Sequence, residues 1–350
     1  GTIQELVNRL IPILSKDKKI AYLDADHQSG DQPVEEVAAQ LGQGLHQSYT
    51  DKIHFHRFDT RTPLESFQFR SYFNEQDVLL LNGNHFQGNH QIVLIDPRKE
   101  KSLRKRAEQL TEVQLLVLAE GVESVLPYVQ DLVPNWADLP VLKIGDTAGI
   151  AAFLKTAWAK TEAPLYGLVL AGGKSTRMGQ DKGLLEYYGQ PQRSYVQTLL
   201  EPFCDQVYLS LRSEEQARSE DRVIYDSFKG LGPFGAILSA FREAPDAAWL
   251  VVACDLPLLD QPTLDFLVQH RDRSAYATAF LDSDGRFPEP LISIWEPRSY
   301  SMALQFLAQG YSCPRKVLIN SPIRLLEAPD TRAFHNVNRP EEYQQVKKKK

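Results

Sequence analysis

Cysteine is scarce in this chain, and the few cysteines that occur form no recognisable pattern. The 350 residues contain three of them, Cys204, Cys254 and Cys313, which are widely separated and odd in number. A disulfide framework needs paired cysteines, and a structural zinc site needs them at short and regular spacing. The sequence therefore favours reduced thiols, as in a cytoplasmic protein, over a disulfide scaffold or a zinc site.

Long apolar runs, a signal peptide and an excess of positive charge are also absent. No stretch approaches the roughly 20 consecutive apolar residues of a membrane-spanning helix. The formal net charge is −6, whereas a general nucleic-acid-binding protein carries a basic footprint. We therefore expect a cytoplasmic protein that has neither a membrane nor a nucleic acid as its partner.

The chain is long for one domain and sufficient for two. In both halves, apolar runs typical of strands alternate with helical stretches, which predicts α/β folds. A polar, proline-containing segment at 160–164 separates the halves, so we predict domains at 1–160 and 161–350. In the second domain, strands are expected at 167–171, 206–211, 222–225, 249–254, 277–280, 291–295 and 323–326, and helices at 192–203, 233–243, 261–270, 297–309 and 339–347.

The first half has its own set of predicted elements. A helix at 2–15 leads into the first strand, and later helices fit between later strands. Strands are expected at 19–23, 54–58, 78–81, 91–95, 114–118 and 141–144, with the remaining helices at 33–42, 99–110 and 122–132. This alternation predicts a second α/β domain ahead of the first.

The most informative run follows the first predicted strand of the second domain. Residues 168–182 read LVLAGGKSTRMGQDK. Gly172 and Gly173 allow backbone N–H groups to approach phosphates closely, and Arg177 and Lys182 supply two cations. The run matches neither G-x-x-x-x-G-K-S/T nor G-x-G-x-x-G. It predicts a nucleoside triphosphate site at the carboxyl end of a parallel strand.

Further motifs follow in an order that fits one fold. They are Asp181-Lys182-Gly183-Leu184-Leu185, Asp226 with Gly232-Pro233-Phe234-Gly235-Ala236, Cys254-Asp255-Leu256-Pro257 and Asn336-Val337-Asn338-Arg339-Pro340-Glu341-Glu342. With the glycine run, they resemble the molybdenum cofactor guanylyltransferases over most of residues 166–345. This resemblance implies a Rossmann-like nucleotidyltransferase domain with a mostly parallel sheet. It also implies a Mg²⁺-dependent transfer of GMP from GTP to molybdopterin, already carrying molybdenum or not, with release of pyrophosphate.

The resemblance implies a set of catalytic residues. Asp255 would bind a hydrated Mg²⁺, and Asn336 or Asn338 would complete the shell. Asn338 is the predicted ligand, although the family pattern fits either asparagine. Arg177 would contact the leaving pyrophosphate, and Lys182 would bridge the α-phosphate and the incoming phosphate. Nucleotide binding is expected at Leu170, Ala171, Gly172, Gly173, Lys182, Ser210, Asp226 and Asp255.

Several positions bear on the choice of substrates. The Asp226 carboxylate can accept the N1–H and N2–H₂ groups of guanine, and Ala171-Gly172-Gly173 replaces the Ala-Ala-Gly of the related cytidylyltransferase. Both features favour GTP over CTP. Ser210 stands where the guanylyltransferases have asparagine, which departs from the family pattern. The segment 287–291 and the pair Arg315-Lys316 fall where the family handles its pterin, so both cations are candidate acceptor-binding residues; the alternative is surface charge on a loop.

The first half resembles, more distantly, the small P-loop GTP-binding protein that accompanies the guanylyltransferase in molybdenum cofactor maturation. Thr2 and Ile3 stand where that family has the lysine and threonine of its P-loop, so we expect a degenerate domain without NTP hydrolysis. Two polar motifs each follow a predicted strand, namely Asp24-Ala25-Asp26-His27 and Asn82-Gly83-Asn84-His85. They are either the remnant of a binding pocket or residue types that are common in turns. The expected role is scaffolding, dimerisation or partner docking, with molybdenum cofactor enzymes or chaperones as candidate partners.

Two other functions are compatible with these motifs. One is nucleotidyl transfer to another phosphorylated acceptor, such as CMP to molybdopterin or a nucleotide to a sugar 1-phosphate. The other is a non-catalytic nucleotide-binding module that delivers cofactor or docks a partner enzyme. Retention of Arg177, Lys182 and Asp255 argues against a module without turnover, because the loss of any one of them would be an easy step towards an inactive site.

Overall fold

The computed structural model describes residues 2–25, 39–172, 182–212, 222–337 and 342–344. The chain divides into two compact units, Gly1–Thr161 and Glu162–Lys350. Most of the helix predicted at 339–347, and the first part of the one predicted at 33–42, lie outside the described residues. Within the described ranges, no helix combines the length and the apolar character needed to cross a membrane.

The described part of the first unit contains short helices and three small sheets. The helices are α1 (Thr2–Leu14), α2 (Ala39–Gly42), α3 (Ser66–Tyr72), α4 (Glu100–Arg104), α5 (Pro127–Leu132) and α6 (Thr147–Ala159). The strands are β1 (Ile20–Leu23), β2 (Gln47–Asp51), β3 (His56–Thr60), β4 (Val78–Leu81), β5 (Gln91–Ile95), β6 (Val113–Leu118) and β7 (Val141–Lys143). Strand β1 pairs with β4 and β6 pairs with both β5 and β7, all in parallel, while β2 and β3 form an antiparallel hairpin. The unit is therefore α/β, as the alternating pattern predicted.

Two predicted helices of this unit are shorter than expected. The helix predicted at 99–110 ends at Arg104, and its last predicted residues form a separate 3₁₀ turn at Ala107–Gln109. The helix predicted at 122–132 begins only at Pro127. Leu126 has an extended backbone, as residues before proline usually have. Pro127 itself is compatible with the first position of a helix.

The second unit is built on one seven-stranded sheet. Its strands are β8 (Leu165–Leu170), β9 (Gln206–Leu211), β10 (Val223–Tyr225), β11 (Ala248–Ala253), β12 (Ala277–Leu281), β13 (Pro288–Trp295) and β14 (Arg324–Leu326). The spatial order is β10-β9-β8-β11-β13-β12-β14. Among these described strands β13 alone runs antiparallel to its neighbours. The predicted mostly parallel sheet is confirmed.

Helices cover both faces of this sheet. They are α7 (Gln192–Leu200), α8 (Pro233–Glu243), α9 (Gln261–Gln269), α10 (Ser299–Ala308) and α11 (Pro314–Ile319). Side chains of α7 and α9 pack on one face, and side chains of α8, α10 and α11 pack on the other. All six residues of β11 are buried, which is why that strand reads as an unbroken apolar run.

The chain leaves β8 towards β9 and β10 on one side, whereas β11 and the strands after it lie on the other side. Such a reversal opens a crevice at the carboxyl ends of the two central strands, and ligands of α/β sheets bind there. The turns after β8 and β11 are therefore the expected position of a binding site.

A buried ion pair ties the end of α9 to the end of β13. Arg271 Nε donates to Glu296 Oε1 at 2.7 Å, and its Nη2 donates to Oε2 at 2.9 Å. The two side chains are only 5% and 2% exposed. A bidentate guanidinium–carboxylate contact satisfies both charged groups at once, so neither is buried without compensation.

Candidate functional site

The turns that follow β8, β9, β10 and β11 lie side by side at one edge of the sheet. The Cys254 N–H donates to the Leu170 carbonyl at 3.3 Å, which joins the turn after β11 to the end of β8. The Asp226 N–H donates to the Leu211 carbonyl at 3.2 Å, which joins the turn after β10 to the end of β9. The sheet thus brings the predicted residues Leu170, Ala171, Gly172, Ser210, Asp226 and Asp255 to one edge.

Gly172 lies where the β8 turn approaches β9 most closely. A Cβ atom there would be 3.2 Å from Arg212 Cγ and 3.5 Å from the Ser210 carbonyl oxygen. The Ala171 N–H donates to the same carbonyl at 3.2 Å. Ser210 itself is buried and pairs with Leu170 in the parallel ladder. The absence of a side chain at position 172 therefore keeps the backbone of the turn accessible beside β9.

Asp226 is half-buried at the start of the loop that leads into α8. Burial raises the pKa of its carboxyl group, although hydrogen bonds from the Phe228 N–H and the Ser239 hydroxyl and the nearby charge of Arg212 oppose the rise. The Ser239 Oγ lies 3.4 Å from Asp226 Oδ1. A carboxylate held in this way by its own loop and by α8 presents a defined acceptor at the carboxyl end of β10.

Gly235, in the first turn of α8, packs directly against this loop. A Cβ atom at position 235 would be 2.4 Å from the Phe228 carbonyl oxygen and 3.0 Å from Asp226 Oδ1. Gly232, which precedes the helix, has a φ of 58° that favours glycine. Gly235 therefore allows close packing of the helix against Asp226, whereas Gly232 provides the positive φ of the turn into the helix, since a Cβ atom there would meet nothing within 4 Å.

We expect the substitution Gly235→Ala to destabilise the protein by about 1–3 kcal/mol, because the loop must move to admit the methyl group. Urea unfolding would measure this, and hydrogen exchange should rise in peptides that contain Asp226 and Phe228. Gly145→Ala is the control, since a Cβ atom there meets nothing within 4 Å. Equal unfolding curves for wild type and Gly235→Ala would refute the close packing.

Asp255 and Asn336 are neighbours although they are far apart in the sequence. The Val337 N–H donates to the Asp255 carbonyl at 3.0 Å, which holds the 336–337 segment against the turn after β11. The Asn336 Oδ1 atom is buried, and no donor from the described residues reaches it. Buried amide oxygens are normally satisfied, so an amide oxygen beside a carboxylate fits a hard cation such as Mg²⁺.

Among the described residues, no group of three or more histidine, cysteine, aspartate or glutamate side chains is arranged to hold a metal. Protein-bound Mg²⁺ usually takes one or two carboxylates together with water and phosphate oxygens.

Some predicted residues fall outside the described ranges. They are Gly173, Arg177, Asp181 and Asn338. The backbone of Lys182 begins a short 3₁₀ turn, Lys182–Leu184. The roles assigned to these residues stay predictions, and Asn336 is the described member of the asparagine pair.

Arg315 and Lys316 lie on the helix α11 and not on a loop, although Lys316 is at the surface, as the alternative of surface charge expected. Arg315 Nη2 is 3.3 Å from Glu289 Oε2, and its Nη1 is 3.7 Å from Asp282 Oδ2. The Lys316 ammonium lies 5.5 Å from the centroid of the Tyr311 ring. Six residues are too few to show helical periodicity, although Pro314 at the first position of the helix is a start signal. Their role in acceptor binding stays a prediction.

Sequence reasoning did not single out Glu289, which lies at the start of β13. Burial raises the pKa of its carboxyl group; the Leu291 N–H and Arg315 lower it, and the carboxylates of Asp282 and Asp255 add to the rise. The Leu291 N–H donates to Oε1 at 3.1 Å. The only sequence signal was its position in the 287–291 segment, between two prolines.

Tyr187 is a second residue that the motifs did not indicate. Its ring meets that of Tyr343 edge to face, with centroids 4.9 Å apart. Burial raises the pKa of its hydroxyl well above the usual value, and the neighbouring Tyr343 and Asp255 contribute. The adjacent Tyr188 hydroxyl donates to the Pro257 carbonyl at 2.7 Å, which ties this segment to the Asp255 turn.

In the first unit, the ends of β1 and β4 meet through polar side chains. The Asp24 carboxylate accepts hydrogen bonds from the Asn82 amide at 2.8 Å and the Tyr22 hydroxyl at 2.7 Å, and His85 Nε2 is 3.7 Å away. Burial and the contact with Asp24 raise the pKa of Tyr22 to about 12. Asp26 and His27 lie outside the described residues. The two predicted motifs are thus adjacent, and their polar groups satisfy one another.

Comparison with known proteins places the likeness in the second unit. A family model described as "MobA-like NTP transferase domain" matches residues 167–323. The molybdenum cofactor guanylyltransferase of Pseudomonas putida KT2440 is 31% identical over 186 residues, which cover 52% of this chain and 96% of that protein. The molybdenum cofactor biosynthesis bifunctional protein of Synechocystis is 35% identical over 189 residues, 53% of this chain and 54% of that protein.

Solved structures that resemble part of this chain include the molybdopterin-guanine dinucleotide biosynthesis protein A of Archaeoglobus fulgidus, at 22% identity and a TM-score of 0.45. That match covers 52% of this chain and 97% of that one. The matched part of this chain thus spans nearly all of the single-function Pseudomonas protein but only about half the length of the Synechocystis relative.

Proposed function

Because this chain belongs to the molybdenum cofactor guanylyltransferase family, we propose that its second unit transfers GMP from GTP to molybdopterin and releases pyrophosphate. One observation carries the proposal. Asp255 follows the central strand β11, with the buried oxygen of Asn336 beside it and the Gly172 turn on the neighbouring strand. This arrangement supports a cation site and a phosphate-binding turn within one crevice.

The proposed reaction is an in-line attack by a phosphate oxygen of molybdopterin on the α-phosphorus of GTP. A phosphate is already an anion near neutral pH, so no general base is required. Catalysis then depends on positioning and on stabilising the charge that develops. In the proposal, Arg177 binds the leaving pyrophosphate and Lys182 contacts the α-phosphate and the incoming phosphate, as the sequence motif implies.

Enzymes of this family generally use a divalent metal ion, and we propose Mg²⁺ here. Asp255 and Asn336 would hold the ion, with Asn338 as a further candidate ligand. When bound, Mg²⁺ neutralises negative charge on the phosphates and draws their oxygens into a fixed geometry. The scarcity of other acidic or histidine ligands among the described residues supports a hydrated magnesium ion over a caged transition metal.

Nucleotide choice is assigned to the side of the sheet that carries β9 and β10. The Asp226 carboxylate would accept the two adjacent N–H donors of guanine, which cytosine cannot supply in the same pattern. The close packing of Gly235 supports a fixed position for this carboxylate. Ser210, buried in β9, would contribute one hydroxyl at most.

The first unit is proposed to act without hydrolysing a nucleotide. Thr2 and Ile3 at the P-loop lysine and threonine positions support this, and the side chains of Tyr22, Asp24 and Asn82 at the ends of β1 and β4 are engaged in hydrogen bonds with one another. Scaffolding, dimerisation or docking of a molybdenum cofactor enzyme or chaperone is the proposed role. The resemblance to a degenerate P-loop domain is part of this proposal.

Pyrophosphate release tests the proposed activity. Wild-type protein would be incubated with Mg²⁺ and GTP, CTP, ATP or UTP, each against molybdopterin and a set of sugar 1-phosphates. We expect release with GTP and molybdopterin only, its loss when EDTA removes the metal, and its return with added Mg²⁺.

Other results would replace the proposal in defined ways. Release with CTP would identify the protein as a cytidylyltransferase with the same fold and metal site. Release with a sugar phosphate would show that the acceptor is not molybdopterin. Tight GTP binding without turnover on any acceptor would indicate a binding module. Activity that persists in EDTA after exhaustive dialysis would refute the metal site.

A further inference from the structure

Helix α8 contacts the loop that carries Asp226 through a buried side chain, Ser239. This residue lies in the middle of the helix and is only 1% exposed. Its Oγ atom accepts the backbone N–H of Ser227 at 2.9 Å and the Ser227 hydroxyl at 3.1 Å. Because Ser227 directly follows Asp226 in the chain, these contacts fix the backbone beside the point where the carboxylate side chain begins.

The hydrogen of the Ser239 hydroxyl goes mainly to the helix and not to the carboxylate. A hydroxyl has one hydrogen to donate and two lone pairs with which to accept. The Gly235 carbonyl, one turn earlier in α8, receives that hydrogen at 2.7 Å, whereas Asp226 Oδ1 is 3.4 Å away and is at most a weak second acceptor. Ser239 therefore anchors the loop while it leaves most of the acceptor capacity of Asp226 available to a ligand.

The same helix limits where the carboxylate can lie. Asp226 Oδ1 is so close to Gly235 that a Cβ atom there would be 3.0 Å from it. On the other side, the Phe228 N–H donates to the carboxylate from within the loop. Without the Ser239 anchor, residues 226–228 would lose the hydrogen bonds that tie Ser227 to α8, and the carboxylate would be free to turn.

The orientation of the carboxylate matters because recognition of guanine requires two hydrogen bonds at once. The N1–H and the amino group of guanine are adjacent and point the same way, so one carboxylate accepts both only when its two oxygens face that edge. A carboxylate that is turned still accepts one donor. Hypoxanthine, the base of ITP, has the N1–H but lacks the amino group. The ratio of the affinities for GTP and ITP therefore reports the orientation of the carboxylate.

We propose that Ser239 is a positioning residue for nucleotide selection, because it anchors the loop to α8 and so turns both oxygens of Asp226 towards the ring N–H and amino donors of guanine. The inference rests on the proposed function, since it concerns the nucleotide substrate of the same reaction. Ser239 itself touches no substrate and acts through Asp226. A buried hydroxyl, and not a further contact with the base, then determines how strongly GTP is preferred to ITP.

Ser239→Ala tests the inference through the Kd values of GTP and ITP, measured by isothermal titration calorimetry without an acceptor. We expect the wild type to bind GTP about 10–100-fold more tightly than ITP, the range for one hydrogen bond to a charged group. In Ser239→Ala this ratio should fall about tenfold, because the turned carboxylate keeps only one of its two bonds to guanine. The Kd of ITP should change less than about twofold, since ITP makes only one of these bonds in the wild type.

Three further variants separate this role from a loss of stability. Ser299→Ala removes another buried hydroxyl, which donates to the Tyr276 carbonyl just before β12; it should lower the stability without changing the ratio. Ser227→Ala keeps the backbone N–H that Ser239 accepts, so its ratio should stay close to that of the wild type. Ser239→Cys fills a similar space with a weaker acceptor and should give an intermediate ratio, which maintains the test if Ser239→Ala does not fold.

The outcomes distinguish this inference from the proposed function. A wild type that prefers GTP to ITP but releases no pyrophosphate counts against the proposed function alone. An unchanged ratio in Ser239→Ala and Ser239→Cys overturns the inference, and equal losses of affinity for GTP and ITP do so as well, because they indicate a general loosening of the crevice. Equal affinities of the wild type for GTP and ITP also overturn it, since Asp226 would then not recognise the amino group.

Discussion

Asp255→Asn should reduce pyrophosphate release by about 10³-fold while the protein remains folded, because metal-based charge stabilisation contributes several kcal/mol to such reactions. The carboxylate follows the buried strand β11, and the backbone of Val337 bonds to its carbonyl, so the substitution removes charge but not the main-chain contact. Steady-state kinetics and Mn²⁺ titration by electron paramagnetic resonance would measure the two effects. The rate of pyrophosphate release and the affinity for Mn²⁺ should fall together.

Asp246→Asn is the matched control, because Asp246 is an exposed carboxylate of the same unit that precedes β11 rather than following it. It should leave turnover and Mn²⁺ affinity unchanged. Full activity in Asp255→Asn would remove Asp255 from the catalytic residues. Lost activity with intact Mn²⁺ binding would place the metal on other residues and leave Asp255 a different role.

Arg271→Met should lower the free energy of unfolding by about 3–5 kcal/mol, the cost of leaving a buried charge without its partner. Glu296 is 2% exposed, and both of its oxygens accept from Arg271. Urea unfolding followed by circular dichroism would measure the loss. The double variant with Glu296→Leu should regain most of it, because an apolar pair needs no desolvated charge.

The exposed ion pair of Arg332 and Asp330 is the control for the buried pair of Arg271 and Glu296. Arg332 Nη2 is 2.7 Å from Asp330 Oδ2, yet the arginine side chain is 83% exposed. Arg332→Met should therefore leave the unfolding midpoint unchanged. If Arg271→Met proved as harmless as Arg332→Met, water or a neighbouring group would have to compensate Glu296, and the buried pair would not be a source of stability.

Strands with continuous apolar runs were predictable from the sequence. Residues 206–211, 78–81 and 91–95 were predicted with the bounds that the structure has. The hairpin strand β2, Gln47–Asp51, has the sequence QSYTD and gave no apolar signal. Helix α6 was also missed, because apolar residues occur around most of its circumference and helical periodicity is weak.

At the candidate site, sequence motifs were sufficient to predict the residues that follow a parallel strand. Asp226 and Asp255 each come at the end of an apolar run, and parallel strands bring such ends to one edge. Glu289 could not be found in this way, because it lies at the beginning of a strand. Only the antiparallel register of β13 with β11 places it near Asp255, and a single sequence does not reveal strand order or direction.

The direction of β13 also has an evolutionary consequence. The residues proposed to select the nucleotide lie beside β9 and β10, whereas the turn between β12 and β13 lies on the other side of β11 and is closed by the Asp282 N–H bonded to the Phe287 carbonyl at 2.7 Å. Such a connecting turn tolerates insertion and replacement better than the buried strands that it joins. Descendants of this fold can therefore vary that turn by altering a few contiguous codons while they inherit the turns after β8 and β11 unchanged.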